Sequence, residues 1–255
     1  MIKRSKVRPY AELVSEKLSI KDIALRVVSF YRNLADLNEA INTVYVVSER
    51  PSLYESIDIN SEHAVIQLAE EILFQNRADI IKIDGILDPT VDYIRLGKYI
   101  FFGLGVKLGK TDLLTLSFRF IYKNGDWAKS KIGTVWMIEE CIGNLEDSML
   151  YMEILQNSFK IKYASMKVSF YEESISKEIG KYKSPLGLVS FYSNPDYEDI
   201  PNNLAGLDYL HSDSGRLLVL KDVDVFDDDS DLKIVVLKSL KLMKKIGSVF
   251  PGYYR

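Results

Sequence analysis

The stretch from Leu188 to Leu242 constrains the fold of this chain more than any other. Leu188-Val-Ser-Phe-Tyr192 is a short apolar run of strand type, followed by an acidic loop. Leu207-Asp-Tyr-Leu-His211 and Arg216-Leu-Leu-Val-Leu220 then flank Ser212-Asp-Ser-Gly215, a turn closed by glycine, and read as an antiparallel hairpin. From Ser230 or Asp231 onward, Leu232, Val235, Val236, Leu240 and Met243 recur at helical spacing. Acids sit at the start of that helix, lysines lie toward its end, and Gly247 is the expected stop. This order predicts an α+β fold, a mostly antiparallel sheet with helices packed on one face.

Upstream, Ile23 to Tyr31 is rich in β-branched and aromatic residues and reads as a strand. Asp36 to Val47 places Leu37, Ala40, Ile41 and Val44 at helical spacing. Ser61 is a candidate N-cap for a helix carrying Val65, Leu68, Ala69, Ile72 and Leu73 on one stripe. Residues 79–111 are broken by glycine and proline into short pieces. Leu113–Tyr122 and Ile132–Glu140 read as paired strands around Asn124-Gly125, joined by a loop that continues to Lys131. A helix from Leu145 to Phe159 and a strand from Tyr163 to Tyr171 complete the middle of the chain.

The expected organisation is an N-terminal extension over residues 1–20 and a single α+β domain over 21–250. Val28-Ser-Phe-Tyr31 recurs as Val168–Tyr171 and Val189–Tyr192, which leaves open two similar halves, about 21–140 and 146–250. A chain of 255 residues with 47% apolar and 27% charged residues has the composition of an ordinary globular protein. It should bury roughly 70–75% of its unfolded surface. The basic N-terminus lacks a following apolar region of signal-peptide type, and no apolar run reaches the length of a membrane span. One cysteine excludes an intramolecular disulfide framework and a cysteine-rich zinc site. A cytoplasmic location is expected.

Charge is distributed unevenly. From Asp196 to Asp231 there are eleven acids against Arg216 and Lys221, whereas every charged side chain after Asp231 is basic. Such a field disfavours nucleic-acid phosphate and favours a cationic partner; the alternative is a solvated surface.

Catalytic signals are weak. Gly103-Leu-Gly-Val-Lys-Leu-Gly-Lys-Thr111 approaches a phosphate-binding loop, but Leu104 stands where the first glycine is needed and a strand pattern follows instead of a helix. Pro195-Asp196 with Asp231-Leu-Lys233 spells a metal-dependent nuclease signature, although Asp231 already fits a helix cap. Asp222-Val-Asp224 could chelate a cation or simply line a wet strand edge. His63 and His211 have no triad partners at suitable spacing, and Cys141 reads as a buried thiol.

Two blocks carry a resemblance. One is Leu114-Thr-Leu-Ser-Phe-Arg-Phe-Ile-Tyr-Lys-Asn-Gly125 with Ile132-Gly-Thr-Val-Trp136. The other is Gly187-Leu-Val-Ser-Phe-Tyr-Ser193 with Ile200-Pro201, Gly215–Leu220 and Phe226. Together they resemble the immunity protein 52 family, which tends to carry tryptophan at the positions of Phe30, Tyr31 or Tyr192. The resemblance implies a protein from a polymorphic toxin or type VI secretion locus that binds and neutralises a cognate toxin. Nuclease toxins usually present basic clefts, so the expected contacts are Asp196, Glu198, Asp199, Asp222, Asp224, Asp227, Asp228, Asp229 and Asp231. The expected protein is a monomer or homodimer and not an enzyme, without cofactor, metal, nucleic acid or membrane. The alternative is a metal- or nucleotide-dependent enzyme using the acidic cluster or the glycine-rich segment 103–111.

Overall fold

In the computed structural model the first strand of the chain, β1 (Val7–Leu13), lies in the middle of the sheet. The structure describes residues 4–16, 18–38, 41–48, 51–77, 99–123, 126–169, 172–194, 200–201, 203–212, 214–227, 230–249 and 253. After β1 come α1 (Ile20–Leu34), β2 (Thr43–Val47), β3 (Ile57–Asp58) and α2 (Ala64–Gln75). Three long strands follow, β4 (Tyr99–Leu108), β5 (Thr111–Lys123) and β6 (Asp126–Met137), then α3 (Leu145–Ser158) and β7 (Ile161–Val168). The last elements are α4 (Glu173–Ile179), β8 (Val189–Ser193), β9 (Leu207–Ser212), β10 (Gly215–Leu220) and α5 (Leu232–Val249). Among the described residues the strands form a 10-stranded sheet, β3-β2-β4-β5-β6-β1-β7-β8-β10-β9, with every pairing antiparallel. The class is the α+β one expected.

Within the stretch 1–20 expected as an extension, Val7–Leu13 form a central strand. Val7, Pro9, Ala11 and Leu13 are buried while Arg8, Tyr10 and Glu12 are partly exposed, so the period of two is present but masked by proline and charge. Strands from residues 43–137 lie on one side of β1 and those from 161–220 on the other.

Ile23–Tyr31 is helix, not strand. Ser19 and Asp22 close a capping box, and Ile20, Ile23, Ala24, Val27, Phe30, Tyr31 and Leu34 bury one stripe of α1. Cap and periodicity outweigh the β-branched composition. Among the described residues of 36–47 there is no helix: Ile41 and Asn42 turn into β2, whose Tyr45, Val46 and Val47 pair with β4. The copies of the Val-Ser-Phe-Tyr echo fall in different kinds of element, one in α1 and another in β8. Lys123 pairs with Asp126, so the β5–β6 ladder extends through most of the segment expected as a loop, and Asn124 and Gly125 lie outside the described residues. The last helix runs through Gly247 to Val249.

Register sorts the side chains into two faces. Phe118, Ile132, Ala11, Ala164, Phe191 and Leu217 form a row on one face; Arg119, Lys131, Glu12, Tyr163, Tyr192 and Arg216 form the parallel row on the other. On the apolar face, Tyr31 of α1 packs 6.4 Å from Phe118, and its hydroxyl donates to the Leu104 carbonyl at 3.2 Å. From α3 and its C-cap, Tyr151 and Phe159 meet Phe30 at 5.7 and 5.8 Å.

Helices also cover part of the second face. Ser239 of α5 donates to the Leu186 carbonyl, and the hydroxyls of Tyr192 and Tyr253 reach the Ser184 carbonyl at 2.9 and 2.7 Å. Salt bridges Lys233–Glu172 (2.8 Å) and Lys244–Glu178 (3.7 Å) tie α4 to α5. Phe101 and Arg119 are exposed on the second face.

Candidate partner-binding site

The acidic segment folds onto the β9–β10 hairpin and the start of α5. Lys221 leaves β10 and pairs with Asp208 of β9 at 2.5 Å, which raises the pKa of the lysine. Asp222 adopts φ 49°, a left-handed conformation that aspartate tolerates better than most residues. Its side chain is 90% exposed, with Lys238 4.0 Å away. Asp224 accepts the amides of Phe226 (2.8 Å) and Asp227 (3.3 Å), a local turn beside the fully buried Val225.

Lys6, just ahead of β1, donates to the Asp227 carbonyl and to Ser230 Oγ at 3.3 Å. Asp231 accepts the amides of Lys233 (2.9 Å) and Ile234 (3.4 Å) and caps α5. Asp222, Asp224, Asp227 and Asp231 are thus on one loop and all exposed. Asp196, Glu198, Asp199, Asp228 and Asp229 lie outside the described residues. Sequence reasoning missed Lys6 as a support of this loop, because it is 221 residues from Asp227 in the chain.

The segments considered for catalysis take other roles. Gly103 and Gly105 lie within β4, and Gly109, at φ +64°, opens a two-residue turn into β5. The segment is a hairpin, and the helix that a phosphate-binding loop requires does not follow. Asp231 is a cap, and Lys233 pairs with Glu172, lowering the pKa of that carboxyl. His63 and His211 are exposed, while Cys141 is buried, its thiol pushed up to about 12 by burial and then by Asp147. Among the described residues no three His, Cys, Asp or Glu side chains converge as metal ligands would. No described helix is long and apolar enough to cross a membrane.

No family model matches the chain, and no curated protein matches it. Among solved structures it is similar to the Pseudomonas aeruginosa T6SS protein PA0821, over 92% of this chain and 75% of that one. The TM-score is 0.47 and the identity 7%. A likeness of that size carries no argument about partner or activity, and no family match supports the resemblance to immunity protein 52.

Proposed function

We propose that this chain is a non-catalytic binding protein that neutralises a cationic protein toxin, as an immunity protein does. The supporting observation is the loop between β10 and α5. Its backbone is held by Asp224, Asp231, Lys6 and Ser230, while Asp222, Asp224, Asp227 and Asp231 stay exposed. A fixed acidic surface steers a basic partner toward it and limits the ordering cost of binding. The motif resemblance points to the same class of protein.

The test is co-expression with the product of the neighbouring gene, with cell survival and complex formation as readouts. The proposal expects a stable complex, rescue of growth, and association that slows as salt rises. A toxic neighbour that is neither bound nor neutralised would reject it.

A further inference from the structure

The second face of the sheet carries a cleft that the acidic loop does not explain. It lies where β1 and β6 part: their ladder runs through Tyr10, Ala11 and Glu12, and the next bridge toward the N-terminus is Arg4 with Ile138. Pro9, which has no amide hydrogen to offer, sits at the parting, and Thr134 Oγ1 donates to its carbonyl at 2.8 Å. The opening is a cleft of about 460 Å³ lined by Arg8, Pro9, Tyr10, Gly133, Thr134 and Lys167, among others. That volume is in the range of small-molecule sites.

Its charge is unusual. Arg8 of β1 and Lys167 of β7 are register partners, so two cations stand directly opposite on adjacent strands, an arrangement that destabilises a sheet. A second like-charge pair, Arg119 opposite Lys131, lies on the same face. No carboxylate among the described residues pairs with Arg8, whose pKa is lowered by burial and then by Arg4. Glu12 does share the face but is engaged by Tyr10 (2.8 Å) and Lys131 (3.3 Å). Lys167 stands 3.7 Å over the Tyr10 ring. Ser169, which also lines the cleft, has a buried hydroxyl with no hydrogen-bond partner among the described residues. A guanidinium, an ammonium and an unused hydroxyl donor around one opening suit an anionic oxygen cluster.

We propose that this cleft binds a small oxyanion-bearing ligand, its phosphate or carboxylate group held between Arg8 and Lys167 with Ser169 as a further donor. The bound anion relieves the cross-strand repulsion, so ligand binding and sheet stability are linked.

The test is thermal unfolding and calorimetric titration of the full chain with pyrophosphate and with citrate, at ionic strength matched with chloride. At least one should raise the midpoint by several degrees; pyrophosphate alone would indicate a phosphate ligand, citrate alone a carboxylate. Arg8→Met keeps the aliphatic packing and should weaken binding by about tenfold or more, the loss of one charge-assisted hydrogen bond. Without anion, R8M should melt at or above the native chain, because a repulsion has been removed. Lys167→Met provides the same binding readout should R8M fail to fold. The proposal is overturned if neither anion acts beyond chloride, if the variants bind as the native chain does, or if anion-free R8M is markedly less stable.

Discussion

Tyr45 of β2 lies across Gly105 of β4, its register partner: a Cβ at position 105 would stand 2.3 Å from Tyr45 Cζ. The missing side chain lets the ring lie flat and its hydroxyl donate to Asp112 at 2.7 Å, with Lys107 4.3 Å over the ring. Gly105→Ala should displace the ring, break these contacts and destabilise the fold by about 1–3 kcal/mol, as overpacking does. With Tyr45→Ala already present, the same change should be neutral or stabilising, since alanine suits a strand better than glycine. Equal costs in both backgrounds, measured by denaturant melts, would show that the ring is not the reason for the glycine.

This relationship also shows what one-dimensional reading reaches. The β9–β10 hairpin, α3 and the start of α5 were legible because local turn chemistry and helical spacing determine them. Gly105 of β4 read as part of a loop because its partner, Tyr45, is sixty residues away in the chain and selects glycine through contact. β1 was hidden for a related reason: its alternate residues are Arg8, Tyr10 and Glu12, which match neighbours from β6 and β7. The acidic segment was visible as composition. That its carboxylates also cap and turn the backbone was only partly visible, at Asp231, and the cationic face was not visible at all. Arg8, Arg119, Lys131 and Lys167 meet only through sheet register.

Asp231 separates structure from recognition. Its carboxylate accepts the amides of Lys233 and Ile234 at the start of α5. Asp231→Ala should cost about 1 kcal/mol of stability by removing the cap, whereas Asp231→Asn should keep most of it, because asparagine caps nearly as well. If the loop steers a cationic partner, D231N should still lower the association rate. Melting curves and stopped-flow binding of the two variants decide this; loss of stability in D231N equal to that in D231A would contradict the capping geometry.

Asp222 offers the cleanest probe of charge, being mostly exposed with Lys238 at 4.0 Å. Asp222→Asn removes the charge with little change at φ 49°, where asparagine is also tolerated. Stability should stay within about 0.5 kcal/mol, as for surface substitutions generally. Association with the cationic partner at low salt should slow several-fold, and the difference should fade as salt is raised past a Debye length of about 8 Å. An on-rate that is unchanged at low ionic strength would remove this part of the loop from the interface.

Cys141 ties stability to alkaline pH. Burial, with Asp147 adding to it, pushes the thiol from its ordinary value of 9.0 up to about 12. The raised folded value means that the protonated thiol favours the native state, so its contribution is complete below pH 9.0 and is lost between there and about 12. Once the unfolded thiol ionises, stability should fall by up to about 1.4 kcal/mol per pH unit from this group. Tyr31 and Tyr151, also buried and raised, add to the fall only above their ordinary value of 10.0. Cys141→Ala will carry a constant cavity penalty, yet its stability should be flatter than that of the native chain between pH 9 and 10. Urea melts across that interval measure the difference, and native-state alkylation should be slow there because the thiol is both covered and protonated. Parallel pH profiles for the two chains would mean that the folded thiol ionises as readily as the unfolded one.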